Sequence, residues 1–307
     1  MPFDEVVMAD WSGSSRPKVG KDSIWVAHGT TAGGVRSDNP RTRAAAYEAI
    51  DRMVGAAVDG DRRVLVGFDF SFGYPAGFAG YLTAKPAAAA AKPAGNRAPW
   101  EVVWDHLAAA IRDDPDNGNN RFAVAGDVNA ATGTAFFWGC PRPLPALSAT
   151  KRQPPAGLAA NPLPVFRVAE DVARRQVGKP IKSGWQLFGG VTVGSQVLLG
   201  LPYLQALRRR HGRRVVVWPQ QTGFAADPLA AFPEARVVLA EIWPTAFDPA
   251  YGDGVRDDEQ VRAVVHRCLA QQADAGLGDW FDPPSARQLP AAVRRRVVAE
   301  EGWILGV

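Results

Sequence analysis

The sequence predicts an α/β fold: a mixed sheet flanked by helices, in a single domain over residues 1–307 with a mostly helical insertion at about 76–165. Two observations carry this expectation. Short apolar runs readable as buried strands alternate with segments whose apolar residues recur at helical spacing. Between two such strands lies a long stretch, rich in Ala and Pro, with few strand signals, the mark of an insertion or lid carried by a sheet domain.

Residues 5–10 read as the first strand, and "DSIWVAHGT" from Asp22 reads as its hairpin partner across a Gly- and Ser-rich connection. "NPRTRAAAYEAIDRMVGAAVDG" then predicts a helix closed by Gly60, with Ala45, Ala49, Met53, Ala56 and Ala57 on its apolar face. "RVLVGFDFSFGYP" (63–75) is apolar enough for a central strand, and it stops on a carboxylate, Asp69, before a Gly-Tyr-Pro turn. Within the insertion, "LTAKPAAAAAKPAGNRAP" reads as a low-complexity loop and "PWEVVWDHLAAAIRD" as a tryptophan-bearing helix. Order resumes near Val165, and the glycine-rich "FGGVTVG" (188–194) reads as a turn before the apolar helix "SQVLLGLPYLQALRRR". Strands are expected at 214–219 and 236–244. The amphipathic helix "DDEQVRAVVHRCLAQQADAG" follows, with Val261, Val264, Val265, Cys268 and Leu269 on one face.

Composition narrows the function classes. Hydrophobic residues make up 47% of the chain and charged ones 21%, values of a folded globular protein. No apolar run approaches the roughly 20 residues that span a bilayer, and "MPFDEVVMAD" carries acids where a secretory signal would be basic, so a cytoplasmic location away from membranes is expected. Cys140 and Cys268 are too few for a disulfide framework or a cysteine-built zinc site. The four histidines are scattered and no HExxH occurs; GxGxxG, the P-loop and GxSxG are also missing. The net charge of +4 resides largely in arginine clusters such as "LRRRHGRR" and "VRRRVV", which suit either a polyanion surface or the solvated ends of helices.

The expected strand ends carry the chemistry. Asp10, Asp69 and Glu241 lie at or near the ends of three strands, and Asp257, with Asp258 and Glu259, opens the last long helix. Ligand sites of α/β sheets collect at strand ends. Carboxylates are the hard oxygen ligands of Mg²⁺ and Mn²⁺, ions that activate water and stabilise the leaving oxygen in phosphodiester cleavage. The competing explanation is local: a strand-end Asp anchors its own turn, and Asp257 caps its helix. Arg142, Arg167, Lys182, Gln186 and Gln196 surround the segment that leads back to the sheet, where cations and amides would hold an anionic substrate or simply meet solvent.

The order of "ADWSG", "VGFDFSFGYP", "PIKSGWQLFGGVTVGSQVLLGLPYLQAL", "AEIWPTAF" and "EEGWILGV" resembles a family of uncharacterised bacterial and archaeal proteins described as predicted ribonuclease-H-like nucleases. The likeness spans most of the chain apart from about residues 80–130. It implies a ribonuclease-H-like mixed sheet whose acids meet at one edge to bind Mg²⁺ or Mn²⁺. Asp10 and Asp69 would be the central ligands and catalytic groups, with Glu241 and Asp257 completing the site. Glu48, on the first helix, is a further candidate. Ser12, Arg167, Lys182 and Gln186 would bind the substrate, a nucleic acid or a small phosphorylated molecule, for metal-dependent phosphodiester hydrolysis.

Two alternatives remain open at this level. In the related actin and sugar-kinase folds an Asp followed by a Gly- and Ser-rich turn faces nucleotide phosphates, and "ADWSGSSRPK" with Lys18 suits a nucleotide-handling phosphotransferase. A non-catalytic binding protein, using the Trp- and Pro-rich insertion as a ligand or partner surface, is the other.

Overall fold

A computed structural model of the chain describes residues 3–83, 97–142, 144–151, 153–190, 192–247 and 252–307. Most of the low-complexity run, residues 84–96, lies outside the described residues. The core is a six-stranded mixed sheet. Its strands are β1 (Glu5–Asp10), β2 (Trp25–Thr30), β3 (Arg36–Asp38), β4 (Val64–Phe68), β7 (Val215–Val217) and β8 (Val237–Glu241), in the order β3-β2-β1-β4-β8-β7. β3, β2 and β1 are antiparallel, whereas β1, β4, β8 and β7 run parallel. A separate parallel pair joins the two-residue strands β5 (Thr134–Ala135) and β6 (Ala159–Ala160).

The helices are α1 (Arg43–Asp59), α2 (Phe78–Thr83), α3 (Pro99–Ala110), α4 (Arg121–Thr132), α5 (Val168–Val177), α6 (Gly194–His211) and α7 (Arg256–Ala273), followed by the short α8 (Gly278–Phe281), α9 (Pro284–Arg287) and α10 (Ala291–Arg296). None of the described helices is long and apolar enough to cross a membrane.

Strand periodicity divides the core in two. Val7, Ala9, Val66, Phe68, Val237 and Leu239 pack on one face with α1, α3, α4 and α6. Val6, Met8, Leu65, Val238, Ala240 and Ile242 pack on the other with α5, α7 and the C-terminal segment. The apolar face expected for α7 is the buried one: Val261, Val264, Val265 and Cys268 are sequestered there. For α1 the expected phase is corrected. The buried stripe is Arg43, Ala46, Ile50, Val54 and Ala57, while Ala45 and Ala56 are exposed. Alanine is a weak marker of the buried side, and the larger Ile50 and Val54 set the rotation of the helix because they bury more apolar area.

The segment 76–165 is helical over α2, α3 and α4 and supplies main-core residues, among them Trp100, Trp104, Leu107, Phe136 and Phe137. It therefore packs as part of the wall on one side of the sheet, with α3 against α6.

Candidate active site

Strand register brings Asp10 and Asp69 together. β1 and β4 are parallel neighbours with Ala9 opposite Phe68, and the Asp69 N–H donates to the Ala9 carbonyl at 2.9 Å, so the ladder continues one residue past β4. The next residues in register are the two aspartates. Adjacent in-register residues project to the same face, here the face that carries α7, since Met8 and Leu65 point there and Ala9 and Phe68 point away. Asp257 reaches the same side from the first turn of α7, which packs against β1 and β2.

Asp10 is buried and Asp69 half-buried. Burial raises the Asp10 carboxyl well above the ordinary carboxylate range, and the charges of Asp69, Asp257 and Asp22 raise it further. Asp69 is pushed up to about 7 by burial first, then by Glu241 and Asp257. Asp257 is raised by burial, against the hydrogen bond that its Oδ2 accepts from the Asp22 N–H at 2.6 Å. Among the described residues, neither Asp10 nor Asp69 has a hydrogen-bond donor or cation on its carboxylate. Buried carboxylates normally have such partners, because an unpaired buried charge is expensive. No group of three or more His, Cys, Asp or Glu side chains among the described residues is arranged to enclose a metal ion. A Mg²⁺-type ion keeps several waters and binds through one or two carboxylates, and the unpartnered Asp10 and Asp69 pair is a donor set of that kind.

Glu241 is already paired. It lies opposite Phe68 in the β4–β8 register, with Ile242 beside Asp69, and its charge is among those that raise the Asp69 carboxyl. Its partner is Arg167, 1% exposed, which binds it in a two-pronged ion pair at 2.5 and 2.8 Å. The other Arg167 donors go to Glu170 Oε1 at 3.0 Å, the Glu301 carbonyl at 2.7 Å and Ser71 Oγ at 3.0 Å, so all five guanidinium N–H groups are used. The Phe72 N–H donates to Glu241 Oε2 at 3.0 Å. The expected metal ligand Glu241 and the expected phosphate binder Arg167 are thus bound to each other. Together they fasten Ser71 and Phe72, just beyond Asp69, to α5 and the C-terminal segment. The Gly-Tyr-Pro turn completes this clamp: a Cβ on Gly73 would lie 2.4 Å from the Glu300 carbonyl oxygen, so only glycine allows the approach.

The other expected substrate binders are dispersed. Ser12 is buried, its Oγ accepting from the Ser14 N–H at 3.2 Å in a local turn. Lys182 is exposed, and Gln186 is half-buried with its amide on the Phe188 carbonyl at 3.3 Å. Arg142 is exposed, whereas Gln196 donates to the Trp11 carbonyl beside Asp10. Glu48 lies on the exposed side of α1. Lys18 forms an exposed ion pair with Asp22 at 3.5 Å.

Sequence reasoning missed Asp22, which adds negative charge near Asp10 and Asp257 from a left-handed backbone conformation (φ 52°). Its only signal was its place in the Gly-Lys-Asp-Ser turn before β2. Also missed was Arg43, fully buried, whose guanidinium grips Asp113 with two 2.6 Å contacts and the Ser12 and Ser14 carbonyls at 2.9 and 2.6 Å. It fixes the loop that leaves Asp10.

The "LRRRHGRR" cluster lies away from the acids. Arg208 pairs with Glu101, Arg209 with Asp105 at 2.6 Å and Arg210 with Asp51 at 3.2 Å. A cavity of about 580 Å³ beside it, lined by Arg208, Arg209, Arg213, Val216 and Phe232, opens at the N-terminal end of β7, opposite the strand ends that carry the aspartates.

Comparison with protein-family models, with curated proteins and with solved structures finds no match to this chain.

Proposed function

We propose that this chain is a divalent-metal-dependent phosphodiester hydrolase of ribonuclease-H-like fold, acting on nucleic acid or on a small phosphorylated substrate. One observation carries the reading: two parallel strand ends deliver Asp10 and Asp69 to one face, where neither carboxylate has a protein donor or cation among the described residues. Such a pair is costly in the empty protein and is relieved by a bound cation. The mixed sheet, antiparallel on one side of β1 and parallel on the other, supports the fold assignment alongside the motif order.

Mg²⁺ or Mn²⁺ would be held by Asp10 and Asp69, with Asp257 as the third nearby carboxylate, and would supply an activated water and charge stabilisation for the leaving oxygen. Asp22 orients Asp257 through its backbone N–H. Arg167 and Glu241 act as positioning residues for the segment that follows Asp69. The phosphotransferase alternative gains nothing from Lys18, whose charge is directed to Asp22.

The test is hydrolysis of single- and double-stranded RNA and DNA, and of a chromogenic phosphodiester, with Mn²⁺ by the wild type and by Asp10→Asn and Asp69→Asn. Metal-dependent hydrolysis by the wild type that falls to background in both variants is expected. Hydrolysis that survives both substitutions would overturn the assignment of these residues.

A further inference from the structure

We infer that the loop 12–15, Arg121 and the start of α6 form an anion site, of the phosphate or phosphate-ester class, on the opposite side of the loop from the aspartates. Arg43 and Arg121 are both buried, at 0% and 8% exposure, and Asp113 is the carboxylate they have between them. Both oxygens of Asp113 are taken by Arg43 at 2.6 Å, with the Tyr203 hydroxyl also on Oδ2 at 3.0 Å.

Arg121 therefore has only neutral acceptors: Ser195 Oγ on Nε at 2.8 Å, and Ser15 Oγ and Asn119 Oδ1 on Nη1 at 2.9 and 2.6 Å. Its Nη2 group has no acceptor among the described residues. One face of the guanidinium is covered by the Phe122 ring, 4.3 Å away. Burial, and then the charge of Arg43, lower its pKa to about 10. A largely buried guanidinium whose nearest carboxylate, Asp113, is already held by a second arginine, and whose Nη2 is left open, is an arrangement that a bound anion completes, since buried charges are ordinarily paired and an arginine fork matches phosphate oxygens.

The neighbouring backbone adds donors. In the first turn of the 18-residue α6 the Gly194 and Val197 N–H groups donate to the Gln186 and Val193 carbonyls, while those of Ser195 and Gln196 have no acceptor among the described residues, as expected of the unsatisfied end of a helix. Gly13 brings the loop onto this turn: a Cβ there would stand 2.8 Å from the Ser195 Cβ. The exposed Ser15 marks the side open to solvent.

This site is independent of metal, so it is tested in EDTA, where the hydrolase reading has no influence. The probe is inorganic phosphate at pH 7.5 against sodium chloride of equal ionic strength, read as a shift in melting temperature and by calorimetry. Saturable phosphate stabilisation is expected in the wild type and in Asp10→Asn, with at least ten-fold weaker binding in Arg121→Gln. Ser15→Asp sets a carboxylate beside Nη1 at an exposed position. It should raise the melting temperature without phosphate and abolish the response to phosphate, and it keeps the test open if Arg121→Gln does not fold. Repeating the titration with a nucleoside 5′-monophosphate and with a phosphodiester dinucleotide separates terminal from bridging phosphate. Phosphate stabilisation no greater than that of chloride, or a full response in Ser15→Asp, would overturn the inference.

Discussion

Replacing Arg167 by Met should be among the most damaging single changes in the protein. The side chain is 1% exposed and makes five hydrogen bonds, two of them in the ion pair with Glu241. Its loss leaves Glu241 and Glu170, 3% and 2% exposed, without their counter-charge. Breaking a buried pair by removing one partner costs about 3–5 kcal/mol. In a chain of this size that corresponds to a melting temperature lower by roughly 10 °C. The penalty should shrink as pH falls, because the freed Glu241 then takes up a proton instead of holding an unpaired charge; burial already raises its pKa against the opposing effect of Arg167. The assay is urea unfolding of the wild type, Arg167→Met, Glu241→Gln and the double variant at pH 7.5 and 5.5. The double variant should be less destabilised than the sum of the singles by about 2 kcal/mol or more, the coupling expected of residues in direct contact. A loss below about 1 kcal/mol for Arg167→Met, or additive singles, would refute the view that this ion pair holds the segment beyond Asp69.

The raised pKa of Asp69, about 7 against an ordinary value of 3.8, means that the folded protein holds this proton more tightly than the unfolded chain. Its neutral-form stability is therefore full below about pH 4 and is lost as pH rises towards 7, by up to about 4 kcal/mol. Asp10 acts in the same direction. Melting in EDTA should show this fall, and Asp69→Asn should flatten it; a profile unchanged by the substitution would contradict the account. Gly73→Ala should destabilise by about 3 kcal/mol, because the added methyl meets the Glu300 and Glu301 carbonyl oxygens at 2.4 and 2.6 Å, and backbone cannot move as a flexible side chain does. A loss below 1 kcal/mol in urea unfolding would show that the turn relaxes.

The sequence disclosed the strands and helices whose signals are local. β1, β4 and the buried face of α7 follow from apolar runs and helical spacing. β3, three residues long with an exposed pattern, has no apolar signature and was missed. Asp10 and Asp69 stood out because each ends an apolar run. Glu241 also ends an apolar run, but its register against β4 puts it opposite Phe68 rather than Asp69, and no single strand reveals its ion pair with Arg167, 74 residues away in sequence. Arg167 read as a substrate binder because its partners Glu170, Glu241 and Glu301 are spread over more than 130 residues and meet only in the fold. Arg121 carried no sequence signal, since its significance lies in a carboxylate that Arg43 has already taken.

The central claim is that Asp10 and Asp69 form a cation site, and crystals soaked in Mn²⁺ at pH 7.5 test it most directly. An anomalous peak is expected between the two carboxylates, absent from Asp69→Asn crystals grown and soaked in the same way. A well-ordered Asp10 and Asp69 pair with no peak between them, or manganese bound elsewhere and unaffected by the substitution, would contradict it.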